Sequence, residues 1–124
     1  MRDINVLSCF DGASCGQLAL KELGIPIGAY YASEIDKYAI QVTQANFPNT
    51  IQLGDIKKVG YTRFNHHVDL MMGGSPCQGF SFAGHQLNFD DPRSKLFFDF
   101  IRIRDELLPK YVLLENVRMS KESQ

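Results

Sequence analysis

The chain has 124 residues with 13 basic and 14 acidic side chains, a net charge of −1. At this length a single domain is expected, burying roughly two-thirds of the surface its unfolded chain exposes. With 44% hydrophobic and 22% charged residues, the composition excludes collagen, coiled-coil and disordered classes, and no apolar run approaches the roughly 18 residues of a membrane span.

The start, Met1-Arg2-Asp3-Ile4-Asn5, carries no signal-peptide layout, so a cytoplasmic setting (nuclear in a eukaryote) is expected. Cys9, Cys15 and Cys77 make an odd count without paired spacing, which argues against a disulfide framework. Neither CxxC nor HxxxH occurs, and no metal site is read. A charge this close to neutral also gives little general attraction for phosphates.

Along the chain, strand and helix signals alternate. Asn5 to Phe10 is a short apolar run closed by Asp11-Gly12, the mark of a buried strand and its turn. The next segment places Leu18, Leu20 and Leu23 among polar residues, and Gly24 and Pro26 end that helix. Ile27 to Ser33 predicts a second strand ending in Glu34. Asp36 is placed to cap a helix from Lys37 to about Phe47, stopped by Pro48. Thr50 to Leu53 is a brief third strand running into Gly54-Asp55, and Val68 to Met72 a fourth running into Gly73 to Cys77.

Residues 79–91 read as a long loop. A helix then spans about Ser94 to Leu108, with Leu96, Phe100, Ile103 and Leu107 on one stripe and Arg102, Asp105 and Glu106 outside it. Phe97, Phe98, Phe100 and Ile101 are expected to pack that helix on the sheet. Lys57-Lys58, His66-His67 and the Arg102/Arg104 pair are expected on solvated surfaces. After Pro109, Tyr111 to Leu114 forms a fifth strand reaching Glu115-Asn116.

This alternation predicts an α/β fold with a mostly parallel sheet and right-handed crossovers. Ligands of such sheets bind beyond the carboxyl ends of the strands. Five polar or reactive groups fall there: Asp11-Gly12, Glu34, Asp55, Pro76-Cys77 and Glu115-Asn116. Gly12 and Gly16 suit a turn that brings backbone close to a ligand at a helix N-terminus. Glu34 follows at the distance where an acidic residue takes ribose hydroxyls. For Cys77 the spacing alone leaves two readings, an inert thiol or a nucleophile exposed by Pro76 and the surrounding glycines. Asp55 is equally well placed as the cap of a short helix.

Taken in order, Phe10-Asp11-Gly12, Ser33-Glu34-Ile35-Asp36, Gly54-Asp55-Ile56, Gly74-Ser75-Pro76-Cys77-Gln78 and Glu115-Asn116-Val117 resemble the first motifs of the cytosine carbon-5 DNA methyltransferases. Asp91 to Phe98 fills the place of the motif before the last of these. The resemblance runs over residues 4 to 118. It implies a Rossmann-like methyltransferase sheet using S-adenosylmethionine, with residues 1–118 a partial catalytic domain and 119–124 a polar tail. It makes Cys77 the nucleophile that adds to carbon 6 of a cytosine flipped out of DNA, and Glu115 the group at ring nitrogen 3.

The same resemblance assigns Phe10, Asp11, Gly12, Gly16, Glu34, Ile35, Asp55, Ile56, Gly74, Pro76 and Leu96 to the cofactor pocket, and Gln78 and Ser81 to DNA. For Asp36, capping remains the better account. The later family elements (an arginine-bearing motif, a target-recognition domain and a closing segment) do not follow in this sequence. The expectation is therefore a sheet truncated after the fifth strand, from a truncated or split enzyme completed by a second polypeptide. On that view the chain alone binds cofactor weakly, if at all, and methylates nothing. Two alternatives stay open: a non-catalytic accessory or degenerate relative, and a tRNA-directed methyltransferase of the same fold.

Overall fold

Two strands with apolar side chains on both faces form the centre of the molecule. The computed structural model describes residues 2–74 and 92–114, the side chains of 92–96 excepted. Among them β1 (Ile4–Cys9), β2 (Ile27–Ser33), β3 (Ile51–Gln52), β4 (Leu70–Gly73) and β5 (Tyr111–Leu114) form one parallel sheet in the order β3-β2-β1-β4-β5. Three helices, α1 (Cys15–Glu22), α2 (Lys37–Asn46) and α3 (Pro92–Leu107), connect it, with 3-10 turns at Ile56–Lys58 and Tyr61–Arg63. The expected α/β class and parallel strand pairing hold.

Side chains of a strand alternate between faces, and here the alternation sorts two cores. Leu7, Cys9, Ala29, Tyr31, Leu53 and Met71 meet Phe100 and Ile103 of α3 on one face. Val6, Tyr30, Ala32 and Met72 meet Leu20 of α1 on the other. A right-handed crossover reverses face when the chain changes direction along the sheet. The two clusters record that reversal, and its place is the β1/β4 junction.

The helix ends follow local chemistry. Gly24 N–H bonds to Lys21 O and Ile25 N–H to Leu20 O, both at 3.0 Å, closing α1 with a paired carbonyl cap. The Asp36 carboxylate accepts from Tyr38 N–H at 2.9 Å and Ala39 N–H at 3.4 Å, as its capping role requires. The third helix starts at Pro92, two residues before the expected Ser94; a first-turn proline gives up no helical hydrogen bond. The third strand shrinks to Ile51–Gln52, and the fourth starts at Leu70 because Asp69 supports β1 by both backbone and side chain. Asp69 N–H donates to Asn5 O, and its Oδ2 accepts from Asn5 N–H, each at 2.8 Å.

Two expectations about α3 need correction. Arg102 is not a solvated side chain. Its guanidinium donates to Val59 O at 2.9 Å and Ile56 O at 3.1 Å, and pairs with Asp99 at 3.3 Å and Glu106 at 3.4 Å. It clamps α3 to the segment after Asp55. His66 and His67 are exposed, as expected, and His66 also shares a 3.2 Å hydrogen bond with Tyr31 Oη. Phe98 is 51% and Phe97 37% exposed, so Phe100 and Ile103 carry the packing.

The clamp gives a test. A charged donor shared between two carbonyls contributes more than a surface ion pair, whose worth is usually under about 1 kcal/mol. Arg102→Ala is expected to cost about 2 kcal/mol in urea unfolding. Arg104→Ala, which loses an ion pair with the exposed neighbour Asp105, should cost less than about 0.5 kcal/mol. Equal losses would remove the clamp.

Candidate functional site

Parallel register brings the strand ends together. Ser33 pairs with Cys9 and Cys9 with Gly73, while Gly73 pairs with Leu114. Past the last pairs, Asp11 N–H donates to Ser33 O at 3.2 Å and Gly74 N–H to Cys9 O at 2.8 Å. On the far side Leu53 N–H donates to Ala32 O at 2.8 Å, and Ser33 Oγ–H to Gly54 O at 2.7 Å. The turn after β1, Glu34, the Gly54-Asp55 turn and Gly74 therefore stand along one edge. Its centre is the β1/β4 switch point, where open α/β sheets bind ligands.

The turn after β1 is the most constrained part of that edge. Phe10, Gly12 and Ser14 have φ of 60°, 63° and 68°. For Phe10 and Ser14 the left-handed region costs about 1 kcal/mol each; glycine adopts it freely. Buried polar groups hold this shape. Glu34 Oε1 accepts from Gly12 N–H at 2.7 Å and Oε2 from Asp36 N–H at 3.0 Å. Thr43 Oγ1–H of α2 reaches Gly12 O at 3.2 Å. Gln17 Nε2 donates to Ser14 Oγ and Thr50 Oγ1, both at 3.0 Å. Gly16 allows α1 to sit on the sheet, since a Cβ there would meet Met72 Cε at 3.0 Å.

Asp11, 1% exposed, points its chemistry inward: Oδ1 accepts from Tyr30 Oη at 2.8 Å. Burial pushes this carboxyl above its usual range, and Glu34 adds to the rise; the hydroxyls of Ser8, Ser14 and Tyr30 pull it back. Oδ2 nevertheless has no partner of full hydrogen-bond geometry. Cys9 behind it is a buried free thiol, held far above its ordinary pKa by burial first and Asp11 second. It is no candidate nucleophile.

The other expected residues divide. Phe10 is half-buried against the core, and Ile56 is buried in it. Ile35 is 73% exposed beside the buried Glu34. Asp55 Oδ1 accepts from Lys57 N–H at 3.0 Å, so it caps the first 3-10 turn. Gly74 lies on the edge. Leu96 belongs to α3, its side chain undescribed. Cys77, Glu115, Pro76, Gln78 and Ser81 lie outside the described residues. Sequence reasoning missed Tyr30, Thr43, Gln17 and Thr50. Tyr30 reads as a strand apolar and the others as helix or loop polars, and no local pattern shows that they converge.

The C-5 cytosine-specific DNA methylase model matches residues 4–124. The chain belongs to this family. It is 41% identical over 115 residues to the Type II methyltransferase M.Eco47II of Escherichia coli, covering 91% of this chain and 27% of that protein. It is 38% identical over 120 residues to the orphan methyltransferase M.SPRI of Bacillus phage SPR, covering 95% and 27%. The chain thus spans about a quarter of the length of these curated relatives. Among solved structures, a Spodoptera frugiperda DNMT2 mutant superposes with a TM-score of 0.71 at 31% identity, over 94% of this chain and 36% of that one. The Schizosaccharomyces (S. pombe) Dnmt2 methyltransferase gives 0.70 at 26%, over 96% and 38%. Membership of the methylase family accounts for the strand-end motifs appearing in the order read from the sequence.

Asp11 sets a pH dependence. A carboxyl whose folded pKa is raised adds stability below its unfolded pKa and loses it as pH rises through the folded value. Asp11→Asn cannot ionise and keeps an acceptor for Tyr30. Its unfolding free energy should therefore gain on the parent's between about pH 4 and about pH 7. Urea titrations at both ends check this, and a gap that is constant or shrinks with pH contradicts it.

Proposed function

We propose that this chain is the cofactor-and-nucleophile portion of a cytosine carbon-5 DNA methyltransferase. The observation that carries the reading is the edge at the β1/β4 switch point, where a constrained glycine turn faces a buried carboxylate next to an exposed apolar side chain. That set fits an adenosine: Glu34 for the ribose diol, Ile35 for a face of the base, and Asp55 for its amino group. A carboxylate has about four lone-pair sites, so Glu34 can hold the Gly12 and Asp36 N–H groups and still accept hydroxyls. Gly12 and Gly16, at the start of α1, would receive the amino-acid end; Phe10, Ile56, Gly74, Pro76 and Leu96 complete the wall, and Asp11 serves it from beneath. The bound S-adenosylmethionine supplies the methyl group.

In the reaction, the Cys77 thiolate adds to carbon 6 of a flipped-out cytosine, making carbon 5 nucleophilic. Glu115 contacts ring nitrogen 3, where charge develops, and supplies a proton there. After methyl transfer to carbon 5, its proton leaves and the Cys77–carbon 6 bond breaks, restoring the ring. Gln78 and Ser81 would contact the DNA. The matched family, the C-5 cytosine-specific DNA methylases, favours DNA as substrate; a tRNA-directed methyltransferase of the same fold is the second reading.

Two experiments test this. DNA carrying a fluorinated cytosine should form a denaturant-stable adduct with the enzyme, the later family motifs being supplied in the same or a second chain. Cys77→Ser should abolish that adduct while still binding cofactor, and an undiminished adduct places the nucleophile elsewhere. For the pocket, Glu34→Ala should weaken S-adenosylhomocysteine binding at least about tenfold by calorimetry. Unchanged affinity removes Glu34 from the site.

A further inference from the structure

The residues that hold the turn after β1 do not all belong to the edge it forms. Tyr30 lies in the middle of β2, three residues before the cluster of polar groups at Ser33 and Glu34 begins. Its ring packs with Val6, Leu20, Ala32 and Met72. Its hydroxyl passes under the first turn of α1, where a Cβ on Gly16 would lie 3.7 Å from it, and ends 2.8 Å from Asp11 Oδ1. Tyr30 is 3% exposed and Asp11 1% exposed, so bulk water cannot replace this bond.

Asp11 also anchors the turn through its backbone, donating to Ser33 O and accepting from Ser14 N–H at 3.1 Å. Shifting the Asp11 carboxyl therefore moves the residues on either side, Phe10 and Gly12, both of them left-handed. We propose that the Tyr30 hydroxyl is a positioning group for the cofactor site, fixing the Phe10–Ser14 turn through Asp11. The inference deepens the cofactor reading above and rests on it. Tyr30 does not touch the ligand; it determines the shape that the ligand meets.

The Tyr30→Phe variant of the 124-residue chain isolates this effect, because the ring and its packing stay. Two readouts are taken: amide hydrogen exchange by NMR, and the Kd for S-adenosylhomocysteine by calorimetry. Exchange at Gly12 and Ser14 should accelerate about tenfold, exchange at Met71 should not change, and Kd should rise about tenfold. In a double-mutant cycle the Tyr30→Phe and Asp11→Ala losses should fall well short of additive.

Unchanged exchange and affinity in Tyr30→Phe would overturn the proposal. So would full additivity, or acceleration that extends to Met71, which would make Tyr30 a general packing residue. With the later family motifs supplied in the same or a second chain, failure of the parent to bind S-adenosylhomocysteine would count against the cofactor reading alone. The exchange comparison would then still decide whether Tyr30 holds the turn.

Discussion

The 2.7 Å hydrogen bond from Gly12 N–H to the Glu34 carboxylate is the constraint on which the functional edge depends. It joins the end of β1 to the end of β2 beyond the last strand pair, where no ladder would hold them. A carboxylate acceptor strengthens such a bond, and its burial keeps water from competing. The same carboxylate takes Asp36 N–H, so the entry to α2 is fixed from the same point. One side chain thereby orders a glycine turn, a strand end and a helix start.

The face reversal at the β1/β4 junction has a second effect. It leaves the stretch from Leu53 to Asp69 to cross the sheet without a full helix. Two 3-10 turns fill that path, and neither has enough backbone bonding to stand alone. It is secured from outside: Arg102 holds the carbonyls of Ile56 and Val59, and Arg63 donates to Leu53 O at 3.3 Å. Tyr31 supports the far end, stacking edge-on against Phe64 at 4.7 Å and accepting from Asn65 N–H. The segment bearing Asp55 is thus rigid through tertiary contacts.

What could be read from the sequence follows from range. Strand and helix positions depend on local period and on Gly, Pro and Asp punctuation, and β2, β5 and the Asp36 cap came out where those signals put them. The order of polar strand ends was legible for the same reason. Arg102 was not, because helical periodicity places it off the apolar stripe and cannot report an irregular segment folded over that face. Nor was the Tyr30–Asp11 pair, whose members are both ordinary for a strand and a turn. For Cys77 and Glu115 the reading rests on motif resemblance, since both lie outside the described residues.

The packing of Gly16 against Met72 also bears on the order of events during synthesis. Strand β1 and helix α1 leave the ribosome long before β4, and β2 can pair with β1 at once. The α1 face of that early unit has no Met72 beneath Gly16, and the β1 strand has one vacant edge. A nascent chain arrested before Met72 is made would carry the glycine turn with its side-chain bonds to β2 and α2 but without its floor. The turn after β1 thus gains its final support only when the fourth strand arrives.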